Sequence, residues 1–151
     1  MGIFDKRGFR FAETMSGTFA FADTPNENLR FSFTVECVAP SVFRYVKDGK
    51  LTMKGTLEAD GLASFVPIEG SMVMLPLTHR FIKYGFNFTG DDGMPYQFKG
   101  QKDIRFLDMK RSFSYLPGEV TDHTGKVVAT CKTRFDIKAD LFQFALSWKP
   151  A

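Results

Sequence analysis

The sequence predicts a single all-β domain over residues 1–151, an antiparallel β-barrel or sandwich of about 8–10 strands followed by a short C-terminal helix. Eighteen of the 151 residues are Phe, and many recur at every second position, the period of a strand with one apolar face. Gly and Pro interrupt the chain about every 8–12 residues, as expected of a sandwich or barrel. The alternating pairs are Phe9 and Phe11, Phe19 and Phe21, Phe31 and Phe33, and Phe86 and Phe88.

The alternation and the turn residues between apolar runs place the strands. Each run is rich in aromatic and β-branched residues, which suit a half-buried pleated surface. The predicted strands are Phe9–Glu13, Gly17–Ala22, Leu29–Cys37, Leu51–Ala59, Glu69–Leu75, Arg80–Thr89, Pro95–Phe106, Arg111–Glu119 and Lys126–Ile137.

Two hairpins are marked by their turn residues. The run Gly90–Gly93 separates two of the predicted strands, and its Asp-Gly step supplies the positive φ of a tight reversal. The run Asp122–Gly125 has the same character before the last predicted strand.

The C-terminal segment has a different period. Leu141, Phe144, Ala145 and Trp148 fall at i, i+3, i+4 and i+7, which is one face of a helix. Asp140 can cap this helix, with Gln143 at the capping-box position. We expect a short helix that closes one end of the barrel.

The charge pattern favours a solvated surface over a nucleic-acid site. The formal net charge is +3, from 20 basic and 17 acidic residues, and the basic residues are scattered along the strands. Strand alternation places them on the wet side, opposite the Phe side, whereas nucleic-acid binding needs a basic face interleaved with exposed aromatics. No run approaches the length of an apolar membrane-spanning helix.

Cysteine usage favours a cytoplasmic chain. Cys37 and Cys131 lie in predicted strands, where one disulfide or two buried thiols would fit. Residues Met1–Arg10 contain no apolar core of a secretory signal, so two free, buried thiols are the favoured alternative.

Candidate catalytic and metal-binding groups are few. His79 stands at a strand entrance and is the better general-base candidate of the two histidines, since His123 lies in a hairpin tip. Neither the spacing of a zinc site nor the glycine pattern of a nucleotide-binding loop occurs. We therefore predict no cofactor, no metal and no assigned catalytic residue.

Aromatic and Met side chains are abundant enough to fill a core or to line a pocket. A closed barrel of about eight strands is either filled by its side chains or can hold one small ligand. If a pocket is present, we expect a lipocalin-like barrel that binds an apolar or lipid-like small molecule. The candidate ligand-binding residues are Tyr84, Phe86, Tyr96, Phe98, Arg80 and Lys102.

Three stretches carry a resemblance to a known family. They read F-x-E-x-M-x-G over 11–17, Y-x-F-x-G-x-K-x-I over 96–104 after Tyr84-Gly85-Phe86, and an amphipathic segment over 140–147. This pattern resembles an uncharacterised β domain attached to some bacterial cholesterol-oxidase-like (GMC-type) oxidoreductases. The resemblance implies an accessory module beside a flavoenzyme partner that handles a sterol or other lipid-like substrate. It implies no flavin site in this chain, because the flavin-binding sequence belongs to the other domain.

The residues inside these motifs have physical interpretations of their own. Gly17 and Gly100 would permit a bulge or a close backbone approach. Glu13 and Lys102 would form a cross-strand ion pair or face the polar end of a ligand.

Two alternatives to a non-catalytic binding barrel stay open. One is a barrel-type lipid isomerase or cyclase, with His79, Glu13, Glu69 or a Tyr as its acid-base group. The other is a protein-interaction module that pairs an edge strand with a partner, which is compatible with a homo-oligomer.

Overall fold

The computed structural model describes residues 8–75, 79–135 and 149–150. Its helical segments are α1 at Val42–Asp48, a single 3-10 turn at Phe106–Asp108 and α2 at Met109–Ser114. The strands are β1 Phe9–Phe21, β2 Leu29–Ala39, β3 Lys50–Ala59, β4 Ala63–Leu75, β5 Phe81–Thr89, β6 Pro95–Asp103, β7 Tyr115–Asp122, β8 Val127–Arg134 and β9 Lys149–Pro150.

Strands β1 to β8 form a closed antiparallel barrel in which each strand pairs with the next along the chain. The ring closes where the second half of β1, from Ser16 to Phe21, pairs with β8. The two residues of β9 pair with the start of β1, at Phe9 and Arg10. This up-and-down order is the lipocalin-like arrangement, so the predicted barrel is confirmed and the sandwich alternative is not adopted.

The two ends of the barrel differ. Short hairpins connect β1–β2, β3–β4, β5–β6 and β7–β8 at one end, which we call the hairpin end. At the other end, which we call the helical end, α1 connects β2 to β3, and the 3-10 turn with α2 connects β6 to β7. Binding groups are more often carried by longer connections on a rigid scaffold, so a binding site is expected at the helical end.

Phe side chains fill much of the barrel interior. Phe31, Phe33, Phe86 and Phe98 are almost fully buried. The rings of Phe86 and Phe98 stack with centroids 4.8 Å apart, and Phe33 meets Phe86 edge to face at 5.2 Å. These are the favoured geometries of aromatic pairs, and they give the interior a densely packed centre.

Gly17 lets two strands approach at the closure of the barrel. It lies in β1 opposite Thr133 of β8. A Cβ on Gly17 would lie 2.0 Å from the carbonyl oxygen of Lys132, a backbone atom that cannot move aside. The close approach predicted for Gly17 is therefore confirmed.

Helix α1 begins and ends at recognisable caps. The Ser41 Oγ accepts a hydrogen bond from the Arg44 N–H at 3.4 Å, and Gly49 ends the helix with φ 69°. Tyr45 holds the helix against the barrel, because its hydroxyl donates to the Met74 carbonyl at 2.8 Å and its ring meets Phe9 at 5.0 Å.

Both predicted hairpins are confirmed by their turn geometry. Gly93 has φ 80° and Gly125 has φ 87°. Asp92 and Asp122 accept backbone hydrogen bonds within the two turns, from the Met94 N–H at 2.9 Å and the Thr124 N–H at 2.9 Å.

Several predicted element bounds were wrong. The first two predicted strands are one continuous strand, β1. Phe106 and residues 111–114, which were predicted as strand, are helical. Helix α1 was not predicted at all. The helix predicted over 141–148 lies outside the described residues.

Cys37 and Cys131 are free and buried, as predicted. Burial, reinforced by the charge of Glu119, raises the pKa of the Cys131 thiol to about 12, so it stays protonated. In the part of the chain that the structure describes, no helix is both long enough and apolar enough to cross a bilayer.

Replacing Gly17 by Ala should destabilise the barrel strongly. The new methyl group would overlap the backbone of β8, and overpacking of this kind costs about 1–3 kcal/mol of unfolding free energy. Urea unfolding followed by circular dichroism measures the change.

Gly85→Ala is the matched control on β5, because a Cβ added to Gly85 would have its nearest neighbour 3.9 Å away. This variant should unfold at the wild-type urea midpoint or slightly above it. An equal loss of unfolding free energy in the two variants would contradict a special role for Gly17.

Candidate functional site

A small, largely enclosed cavity of about 90 Å³ lies at the helical end of the barrel. Its lining is almost wholly apolar apart from one cluster of three polar side chains. The lining residues are Phe11, Glu13, Met72, Met74, Ile82, Tyr84, Lys102, Phe113 and Phe135.

The polar cluster consists of Glu13, Tyr84 and Lys102. The Tyr84 hydroxyl donates a short hydrogen bond to Oε1 of Glu13. The Lys102 Nζ lies 3.8 Å from the same oxygen. The side chains of Glu13 and Lys102 are 8% and 1% exposed, so the ion pair is almost completely shielded from water.

Aromatic rings surround the Lys102 ammonium. Its Nζ lies 5.2 Å from the ring centroids of Tyr84 and Phe113, and 5.8 Å from that of Phe135. Cation–π attraction of this kind is strongest where water is excluded. The ammonium is therefore held between one carboxylate and three ring faces.

Burial shifts the ionisation of the cluster. Desolvation raises the pKa of Tyr84 well above its usual value, and the charge and hydrogen bond of Glu13 add to this effect. Desolvation lowers the pKa of Lys102, although the attraction of Glu13 opposes the change. Burial and the negative charge of Glu13 raise the pKa of Cys37, which faces the same interior.

Strand alternation brings the three polar groups inside the barrel. Glu13 is in phase with the buried Phe11 and Met15 on β1, and Lys102 is in phase with the buried Phe98 on β6. Strands β1 and β6 are not neighbours in the sheet. The predicted ion pair between Glu13 and Lys102 is therefore confirmed, but its side chains meet across the barrel interior and not between neighbouring strands.

Two wider depressions lie on the outer face of the barrel and do not enclose a ligand. One is lined in part by Lys54 and Glu69, whose side chains are 75% and 76% exposed. The other is lined in part by Lys83 and Lys99, on the outward side of β5 and β6. Both are open, solvated surfaces, whereas ligand pockets bury most of the ligand, so the interior cavity is the better candidate site.

The structure brings together two of the six predicted ligand-binding residues. Tyr84 and Lys102 line the cavity. Phe86 and Phe98 are buried in the aromatic centre of the barrel and are not part of the lining.

The other two predicted ligand-binding residues lie elsewhere. Tyr96 is near the hairpin end, where its hydroxyl donates to Asp92 at 2.5 Å. This bond raises the pKa of Tyr96 to about 12. Arg80 is exposed at the helical end, with its guanidinium 4.8 Å from the ring centroid of Phe106.

The acid-base candidates are separated by the fold. Glu13 and Tyr84 line the cavity, whereas His79 is exposed between β4 and β5, and Glu69 is exposed on the outer face. Among the described residues, no three His, Cys, Asp or Glu side chains lie close enough together to hold a metal ion.

The apolar wall of the cavity was not among the predicted ligand-binding residues. Phe11 and Ile82 could have been found from their phase, because they stand two residues from Glu13 and Tyr84 on the same strand faces. Phe135 follows β8, and no sequence signal relates it to Lys102. The wall consists of Phe11, Met72, Met74, Ile82, Phe113 and Phe135.

Comparison with known proteins adds no assignment. No protein-family model, no curated protein and no solved structure matches this chain. The resemblance to a domain of cholesterol-oxidase-like enzymes therefore stays a prediction from the sequence motifs.

A double-mutant cycle should show strong coupling between Glu13 and Lys102. Glu13→Gln or Lys102→Met alone leaves one buried charge without its partner, and such a loss costs about 3–5 kcal/mol of unfolding free energy. The double variant removes both charges, and its new glutamine amide still offers Tyr84 an acceptor, so it should be more stable than either single variant. Urea unfolding of the four proteins gives the coupling free energy.

Glu69→Gln is the control for this cycle. Glu69 pairs with Lys54 at 3.9 Å on the solvated outer face, and exposed pairs contribute about 0–1 kcal/mol. Additive single effects at Glu13 and Lys102 would show that the buried pair is not coupled.

The raised pKa of Tyr84 should make stability fall at high pH. Below about pH 10 both the folded and the unfolded chain keep this phenol protonated. As the pH rises further, the unfolded chain loses the proton first, so unfolding is favoured by up to about 1.4 kcal/mol per pH unit.

Urea unfolding of the wild type and Tyr84→Phe from about pH 8 to about pH 11 checks this slope. The difference in unfolding free energy between the two proteins should be constant at the lower pH values and should shrink above about pH 10. A constant difference over the whole range would contradict the raised pKa.

Proposed function

We propose that this chain binds a small, neutral and largely apolar molecule in the cavity at the helical end of the barrel. The observation that carries the proposal is an apolar cavity with two charged side chains among its described lining residues, Glu13 and Lys102. These two charges pair with each other, so the cavity has no net charge from its lining. Apolar pockets with a few placed polar groups are the usual form of small-molecule sites.

The cavity volume limits the size of the ligand. At about 90 Å³ the cavity is smaller than the roughly 150 Å³ cavity that accepts benzene in an engineered protein core. It is far below the roughly 300–1,000 Å³ of pockets for drug-sized molecules. The cavity therefore fits a short chain or the end of a longer lipid-like molecule, and a whole sterol does not fit inside it.

A longer ligand would extend towards exposed apolar side chains at the helical end. Phe106, Leu107 and Met109 are 49%, 105% and 40% exposed, and they belong to the same connection as the cavity residue Phe113. On α1, Phe43 and Val46 are also exposed, at 59% and 72%.

The charge state of the cavity limits the ligand to neutral molecules. Glu13 and Lys102 compensate each other, and the Tyr84 hydroxyl is already engaged with Glu13. An anionic or cationic ligand would add an uncompensated charge to an apolar environment, which is costly. A role as an accessory module beside an oxidoreductase is compatible with this proposal and rests on the sequence resemblance alone.

Binding can be tested by NMR of protein labelled with ¹³C at the methionine methyl groups. Titration with butan-1-ol should shift the Met72 and Met74 signals, because both side chains line the cavity. The signal of Met94, in the hairpin at the opposite end, should not move. A ligand of this size should bind weakly, with a Kd of about 1 mM.

Charged analogues and a cavity-filling variant complete the test. Sodium butyrate and butylamine should cause smaller shifts than butan-1-ol at equal concentration. Ile82→Phe should abolish the shifts by filling the cavity, whereas Val73→Phe, on the outer face of β4, should not. Shifts that do not distinguish Met72 and Met74 from Met94 would overturn the proposed site.

A further inference from the structure

We propose that Lys102 forms a reversible Schiff base with a small apolar aldehyde in this cavity. The inference rests on the proposed function and deepens it, because it names the class of ligand and the atom that bonds to it. Its basis is the position of Lys102, which lines an apolar cavity and whose Nζ lies 3.8 Å from one carboxylate oxygen.

The geometry presents a single amine to the cavity. Lys102 is the one lysine among the described lining residues, and its side chain is 1% exposed. Its Nζ is surrounded by the rings of Tyr84, Phe113 and Phe135, which also line the cavity. A molecule that occupies the cavity would therefore lie next to this side chain, in a site with little water.

Burial makes the amine more nucleophilic than a surface lysine. Only the uncharged amine attacks a carbonyl carbon, and an exposed lysine with a pKa of about 10.4 is almost entirely charged near neutral pH. The desolvation that lowers the pKa of Lys102 increases its uncharged fraction. Lysines that form Schiff bases are characteristically activated in this way.

The reaction keeps the charge balance of the cavity. The ammonium first gives up one proton, the Nζ lone pair attacks the aldehyde carbon to form a C–N bond, and a second proton passes from Nζ to the carbonyl oxygen. The hydroxyl of the resulting carbinolamine takes up the first proton and leaves as water, so the product is a protonated imine. The charged lysine and the aldehyde thus give an iminium and one water molecule, and the single positive charge stays next to Glu13.

Glu13 is placed to stabilise that iminium. Its Oε1 lies 3.8 Å from Nζ and accepts the hydrogen bond of Tyr84, which holds the carboxylate in position. The opposite charges interact strongly in a site with little water. Glu13 and Tyr84 are therefore positioning residues for the lysine.

The shape and neutrality of the cavity favour an aldehyde over other carbonyl compounds. A carboxylic acid would bring a negative charge beside Glu13, and a ketone would need room for two substituents around the reacting carbon. An aldehyde carries one substituent, which the apolar wall of Met72, Met74 and Ile82 can accept.

Reductive trapping tests the inference on the full chain. The protein is incubated with butanal and sodium cyanoborohydride at about pH 6, where exposed lysines are charged. The butylated positions are then mapped by peptide mass spectrometry. Of the twelve lysines in the chain, Lys102 should be butylated about tenfold faster than the average of the others. Butan-1-ol should slow the reaction of Lys102 and leave the other lysines unaffected.

Two variants provide a matched comparison. Lys102→Arg keeps the charge and should abolish the fast butylation at this position. Lys99→Arg, on the outward side of the same strand, should leave the butylation rate of Lys102 unchanged. The wild-type map identifies the reacting lysine even if Lys102→Arg does not fold. Glu13→Gln should slow the trapping of Lys102 by removing the counter-charge of the iminium.

The outcomes separate this inference from the proposed function. If butan-1-ol shifts the Met72 and Met74 signals but butylation is spread over exposed lysines, the Schiff base is excluded and the binding site stands. If butan-1-ol does not bind and Lys102 is not preferred, both proposals fail. Fast, butanol-sensitive butylation of Lys102 supports both.

Discussion

The interior of an eight-stranded barrel is only just wide enough to be filled by its own side chains, and this limit governs the rest of the structure. Stacked rings such as Phe86 and Phe98 occupy the centre of the interior, and Gly17 lets the wall close tightly where β1 meets β8. Space for anything else is left at the helical end, where the cavity lies between β1, β4, β5 and β6.

The buried pair of Glu13 and Lys102 supplies the charged groups among the described residues that line this space. Burying two charges is expensive, and an apolar pair of similar size would often be equally stable or more stable. The cluster therefore has no evident value as a stabilising device alone. Its position is what distinguishes it: both charges face the cavity, and Tyr84 fixes the carboxylate by a hydrogen bond. A stability cost located at a cavity is typical of sites selected for binding or reactivity.

Much of the barrel could be predicted from the sequence, because strand alternation and turn chemistry are local. The hairpins at Gly93 and Gly125 are examples. Helix α1 was missed because it is only seven residues long and has no buried residues, so its apolar pattern covers too few turns to stand out as a helical period. The site was only partly predictable. Glu13 and Lys102 each stand on the same strand face as a buried Phe, so the sequence pattern indicates that both point inward. Their contact with each other depends on how the barrel closes, and no local pattern encodes that closure.

The side chains at the two ends of the barrel have different roles. At the hairpin end, side chains such as Asp92 and Tyr96 serve the turn itself, and their hydrogen bond holds its geometry. At the helical end, Phe113 of α2 contributes to the cavity lining and to the ring cage around Lys102. If this end binds a ligand as we propose, selection would depend on two separable features. The ion pair would favour a neutral ligand, and the apolar wall would set its size and shape. Substitutions at Met72, Met74 or Ile82 are then expected to change which molecule fits without disturbing the Glu13–Lys102 pair.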